Sequence, residues 1–177
     1  MLSVKDGDVN KLGVLFNKYS KGLYNYFKYQ IKDSAKSEDL VQNVFYSILR
    51  YRHTYIEGAD FKVWMYSIAR NEKIRFFRSN KMMTSEIDPQ HADDNLASPE
   101  KRLEIKSEMD CLTTALNLIS KDNREIIILS RFNGLSYSSI AEICECSVGA
   151  LKVRMFRALK ELREKFQELS GGCYDKM

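Results

Sequence analysis

The sequence predicts an all-α fold: two small helical domains joined by a flexible linker, the second a helix-turn-helix. Three observations carry that expectation. Apolar residues recur at three- and four-residue steps through most of the chain, and no alternating strand pattern interrupts them. Only two prolines and eight glycines occur in 177 residues, too few to punctuate a many-stranded sheet. Both prolines, Pro89 and Pro99, fall in one polar stretch from Met82 to Ile105. Its acidic excess and low hydrophobicity mark a linker rather than a packed element. A flexible chain of that length spans roughly 25–30 Å on average, so the bodies 1–81 and 106–177 can sit on separate parts of one large target.

In the first body, Val9, Leu12, Phe16, Tyr19, Leu23 and Tyr26 form the apolar stripe of a helix from about Asp8 to Ile31. Ser37 precedes Glu38 and Asp39, acids suited to a helix start, and Leu40, Val41, Val44, Phe45, Ile48 and Leu49 carry the next stripe. A loop around 54–59 follows, and Asp60 is placed to cap a third helix running to about Lys81. On that helix Phe61, Met65, Ile68, Ala69, Glu72 and Phe76 read as a core side. Trp64, Ser67, Asn71, Arg75 and Arg78 recur on a neighbouring side, combining a stacking ring, an amide and two cations. Composition alone favours Trp64 as core and the arginines as a solvated face.

In the second body a helix from about Ser107 to Leu118 is followed by one that Asp122 is placed to cap and that carries Ile126–Leu129. Gly134 then ends a helix and Ser136 begins the next. Ile140, Ala141 and Cys144 give that helix a buried side with small residues, Glu145-Cys146 makes a tight turn, and Ser147 caps a last helix anchored by Val148 and Leu151. Cap, small residues, turn and basic helix together specify a helix-turn-helix, whose last helix meets base edges and phosphates in a major groove.

Charge and aromatic content divide along the same lines. Residues 1–81 carry 15 Lys+Arg against 8 Asp+Glu, 82–107 carry 3 against 6, and 108–177 carry 10 against 10. Within 147–165, Lys152, Arg154, Arg157, Lys160, Arg163 and Lys165 face only Glu161 and Glu164. Fifteen of the 20 Phe, Tyr and Trp residues lie in 1–81. A body both basic and aromatic suits single-stranded nucleic acid, and a basic recognition helix suits the duplex.

Three segments, in order, resemble one family. Ser37-Glu38-Asp39-Leu40-Val41-Gln42-Asn43-Val44-Phe45 is similar to the polymerase-binding helix of bacterial RNA polymerase sigma factors. Phe61-Lys62-Val63-Trp64-Met65-Tyr66-Ser67-Ile68-Ala69-Arg70-Asn71 resembles their promoter-melting helix, and residues 147–159 resemble their recognition helix for the upstream promoter element. The short chain and its linker resemble the extracytoplasmic-function (ECF) group. The resemblance implies that Asp39, Gln42 and Phe45 contact the clamp helices of the largest polymerase subunit. It implies that Trp64, Tyr66 and Asn71 work at the melted −10 strand, with Arg75 and Arg78 on phosphates. It places Lys152, Val153, Phe156 and Arg157 at bases or groove wall of the −35 duplex, with Arg154 on a phosphate, and it reverses the composition-based reading of Trp64. Implied partners are core RNA polymerase and promoter DNA, with room for an anti-sigma factor.

Other function classes fare poorly. Cys144-Glu145-Cys146 is a poor zinc chelate at one-residue spacing, and His53 and His91 are far away in sequence, so no metal and no cofactor are expected. No Gly-rich phosphate loop and no nucleophile–base spacing suggest an enzyme. No run of about 18 apolar residues exists to span a membrane, and the N-terminus lacks the basic-then-apolar order of a signal peptide. A cytoplasmic protein with reduced thiols is expected. The alternative from another class is a stand-alone helix-turn-helix regulator whose first body senses a ligand or dimerises. Such a protein would shift duplex operator DNA by itself.

Overall fold

The computed structural model describes residues 1–85 and 108–170. A short helix α1 (Leu2–Lys5) and a 3-10 turn (Val9–Lys11) lead into α2 (Leu12–Ile31), α3 (Ser34–Arg50) and α4 (Phe61–Ser85). The second body comprises α5 (Glu108–Leu118), α6 (Lys121–Ile127) with a π-helical turn (Ile128–Phe132), α7 (Tyr137–Ile143) and α8 (Val148–Leu169). No strand occurs among the described residues.

Local chemistry explains most boundaries. Helix α2 starts at Leu12, four residues later than its apolar stripe suggests, and stops where Lys32 turns left-handed at φ 64°. Its neighbour α3 is capped by Asp33, whose carboxylate accepts from the Lys36 amide at 3.1 Å, rather than by Ser37, which is buried one turn inside the helix. Asp60 caps α4 as expected, accepting from the Lys62 amide at 2.8 Å, and α4 runs on to Ser85, into the expected linker. The rest of that linker, with Pro89, His91 and Pro99, lies outside the described residues. In the second body Ser120, not Asp122, caps α6. The helix-turn-helix follows its expected chemistry. Gly134 takes φ 64°, Ser136 accepts from the Ser139 amide, Glu145 makes the turn at φ 54°, and Ser147 accepts from the Ala150 amide.

The first body packs α2, α3 and α4 around Leu23, Phe27, Val44, Ile48, Met65 and Ala69. The second packs α5, α6 and α7 against α8 around Leu116, Ile126, Ile140, Leu151 and Met155. The two bodies also pack on each other, an arrangement the linker pattern did not foretell. Gly22 is one point of close approach: a Cβ there would lie 3.1 Å from the Tyr66 hydroxyl and 3.3 Å from Asn133 Oδ1.

At the centre of this junction sits Glu125 of α6, 2% exposed. Its Oε1 accepts a 2.6 Å hydrogen bond from the Tyr26 hydroxyl and lies 2.6 Å from Lys73 Nζ, while Arg70 Nε stands 3.7 Å from Oε2. Around it the Arg124 guanidinium donates to the Tyr29 carbonyl at 3.0 Å, and Lys62 Nζ donates to the Asn133 carbonyl at 2.9 Å. The Tyr66 hydroxyl donates to Asn133 Oδ1 at 2.6 Å. Tyr29 and Phe132 add a ring contact, centroids 5.1 Å apart. A carboxylate this deep is tolerable only because hydroxyl and ammonium donors saturate it. Burial, then the Glu125 charge, pushes the Tyr26 phenol well above its usual pKa.

Candidate nucleic-acid and polymerase interfaces

Helix α8 presents a single clean face. Leu151, Met155 and Ala158 are buried beneath it, whereas Lys152, Val153, Phe156 and Arg157 are all exposed on the outer side. Ser147 caps its first turn, which puts the helix start and its exposed amides at the same end as these side chains. One expectation is corrected. Val148 is 40% exposed and does not anchor the underside, which Leu151 alone does at that turn. Arg154 leans back, its guanidinium 3.6 Å from the Asp122 carboxylate of α6. That contact leaves it at the edge of the face rather than on it.

Helix α4 is shared between three tasks. Met65, Ala69 and Glu72 are buried, with Glu72 accepting from the Ser47 hydroxyl at 2.8 Å and from Arg75 at 3.0 Å. Asn71, Arg75 and Arg78 are exposed in a row. Trp64 is half-buried, edge-on to Tyr55 at 5.3 Å and near Phe61 at 6.2 Å. It is therefore a partly open ring in an aromatic cluster, between the core and the stacking positions expected for it. Tyr66 is 2% exposed and committed to Asn133 of the second body. Burial raises its phenol pKa. In this arrangement Tyr66 does not share a surface with Trp64 and Asn71.

Helix α3 exposes Glu38, Asp39, Gln42, Asn43 and Tyr46. Phe45, expected to touch a partner, is buried instead and packs on Phe16 with ring centroids 4.9 Å apart. Tyr46, 66% exposed, occupies the outward position that Phe45 was expected to fill. Helical spacing alone could have found it, since it lies one turn past Gln42 and two past Asp39. Beside this face runs a groove of about 360 Å³ between α2 and α3, lined by Phe16, Tyr24, Glu38, Val41 and Gln42.

Cys144 is half-buried, and burial beside Glu125 pushes its thiol up to about 11, which keeps it protonated at neutral pH. Cys111 is buried. Among the described residues no group of three or more His, Cys, Asp or Glu is placed to hold a metal ion, and no helix is long and apolar enough to cross a membrane.

Two helical bodies, one with a basic, aromatic helix and one with a cation-flanked recognition helix, define a protein that reads DNA. Comparison with known proteins agrees. The family described as sigma-70 region 2 matches residues 15–82, and sigma-70, region 4, matches residues 109–162. The ECF RNA polymerase sigma factor SigX of Bacillus subtilis is 29% identical over 168 residues, covering 92% of this chain and 87% of the relative. The sigma factor CarQ of Myxococcus xanthus is 27% identical, covering 93% and 94%. Among solved structures, the sigma factor RpoE of Bartonella quintana, in complex with the anti-sigma factor NepR, superposes with a TM-score of 0.72. It is 27% identical, with 93% of this chain and 98% of that one covered.

The chain belongs to the bacterial RNA polymerase sigma factors, in the ECF group. It binds core RNA polymerase and directs promoter-specific transcription initiation by recognising the −10 and −35 elements. The stand-alone regulator is not favoured. Members of this family are initiation factors without catalysis of their own.

Proposed function

We propose that the two bodies divide the work of initiation residue by residue. The first body, 1–81, docks on the clamp helices of the polymerase through the outer face of α3, with Asp39 and Gln42 joined by Tyr46, and with Phe45 shaping that face from beneath. Trp64 and Asn71 hold the melted −10 strand while Arg75 and Arg78 take its phosphates. The second body, 106–177, reads the −35 duplex through Lys152, Val153, Phe156 and Arg157, with Arg154 at a flanking phosphate once it leaves Asp122. The protein is not itself an enzyme and works in the cytoplasm. An anti-sigma factor is a fitting partner, given that the similar RpoE was solved with one.

Elements 25 base pairs apart lie about 85 Å apart along the duplex, at about 3.4 Å per base pair. Bodies locked at the Glu125 junction cannot reach both at once. Promoter recognition therefore requires the junction to part, which also frees Tyr66 for the −10 strand. The chain between Ser85 and Glu108 reaches about 80 Å at full stretch, enough for this with the width of the bodies added.

The single observation that carries the reading is the exposed row Asn71, Arg75 and Arg78 running on from the partly open Trp64 ring. Stacking on such a ring is worth roughly 1–3 kcal/mol per base. Holoenzymes carrying Trp64→Ala or Asn71→Ala are expected to form closed complexes and fail to open them, with a pre-melted template restoring much of the lost transcription. Permanganate footprinting of unpaired thymines, beside a melting curve of each variant, tests this. Full promoter opening by folded Trp64→Ala protein would end the proposal.

A further inference from the structure

The outer face of α8 carries a pattern that phosphate binding does not explain. At about 100° per residue, the exposed side chains run around the helix in the order Lys152, Phe156, Val153, Arg157. The two cations are outermost, and an apolar pair occupies the middle. Phe156 is 73% exposed and Val153 53%. Such a pair, held out in water at the centre of a basic face, gains free energy when a partner covers it.

Gly149 lies on the same face, one turn earlier. A Cβ there would meet only Ser147 Oγ, at 3.9 Å, so nothing inside the protein demands a glycine. With no Cβ at this position, a surface outside the chain can approach the helix backbone closely.

A major groove supplies both requirements. Its walls are phosphates, which the flanking Lys152 and Arg157 can reach. Its floor displays hydrogen-bonding edges and one apolar group, the C5 methyl of thymine. We propose that Val153 and Phe156 are specificity-determining residues that read thymine methyl groups in the −35 element, with Gly149 letting the base edges come close. This rests on α8 being the recognition helix, as proposed above. The upstream preference of this sigma factor is then set in large part by apolar contact, with the cations holding register.

The test uses holoenzyme reconstituted from the full chain and core polymerase, selecting from promoter DNA with a randomised upstream element. Each thymine in the selected element is then replaced by deoxyuridine, which removes the methyl group and nothing else. At one or two positions the replacement should weaken binding about fourfold, the effect of one buried methyl group. That penalty should vanish in Phe156→Ala or Val153→Ser, whose exposed sites leave the core untouched. Lys152→Ala should weaken thymine and deoxyuridine templates alike. A selected element whose deoxyuridine forms all bind like the parent overturns the inference and leaves the −35 reading standing, as does a penalty that persists in both variants. Selection that enriches no upstream element overturns the −35 reading and the inference with it.

Discussion

Helices α4 and α8 both carry the cations and aromatic ring proposed to meet DNA, yet the fold presents them differently. On α8 the whole outer face is free, because its own domain occupies only the side of Leu151, Met155 and Ala158. On α4 the exposed row Asn71, Arg75 and Arg78 competes with two other surfaces. One side is core to the first body, and a second, with Lys62, Tyr66, Arg70 and Lys73, is spent on the second body. A recognition helix at the edge of a domain can stay open in every state of the molecule. A helix at the centre of a two-body junction can be regulated by that junction.

The largest expected effect breaks the difference outright. Glu125→Ala strands Lys73 and Tyr26 in a buried site, which costs about 3–5 kcal/mol of junction stability. The bodies should separate and resolvate those groups, seen as a larger radius of gyration in small-angle scattering, while the exposed face of α8 stays folded and open. An unchanged radius would mean the junction does not depend on this carboxylate.

Next in size are the cations of the open face. Truncating Lys152 or Arg157 should each cost roughly 1–3 kcal/mol of promoter binding by holoenzyme. If either only meets a phosphate, all sequences should weaken alike and the salt dependence should flatten. Unchanged promoter affinity and unchanged salt dependence in the Lys152→Ala, Arg157→Ala double variant would count decisively against α8 as the helix that meets the duplex.

A smaller effect sharpens the comparison from the α8 side. Ser147→Ala removes the cap bond to the Ala150 amide and should cost about 1 kcal/mol, felt at the first turn of α8 and not at α4. Amide exchange confined to residues 148–151 is the expected signature.

The last prediction is a pH dependence of the junction. Burial holds the Tyr26 and Tyr66 phenols neutral, with folded pKa values above the usual value of about 10. Their contribution is therefore complete below pH 10 and is lost as the pH climbs past it. Denaturation series between pH 8 and 11 should show stability falling at the alkaline end, and Tyr26→Phe with Tyr66→Phe should remove part of that slope. Parallel slopes would assign the alkaline loss to other groups.

Much of the local architecture could be read from sequence because its causes are local. Ser136, Ser147, Asp60 and Gly134 act within three residues of themselves, and each stands where its chemistry placed it. The misassigned caps failed for a local reason too. Asp33 and Ser120 each precede a rival with similar chemistry, Ser37 and Asp122, and only the backbone decides which has the extended conformation of a cap. Phe45 and Tyr46 are adjacent aromatics on an amphipathic helix. Which one faces outward depends on where the stripe meets Phe16.

By itself, then, the sequence determined the helices, the two bodies, the helix-turn-helix and the residue types offered to DNA, since periodicity, caps and charge are properties of neighbouring residues. The junction was decided by tertiary structure alone. Glu125 stands beside Arg124 in a short polar run and reads as a solvated acid. Its partners, Tyr26, Arg70 and Lys73, come from two helices far earlier in the chain, and no local rule connects them. The packing of the second body on the first turns an exposed-looking acid into the buried centre of the molecule, because an ionised carboxylate can leave water only where several donors converge from separate elements.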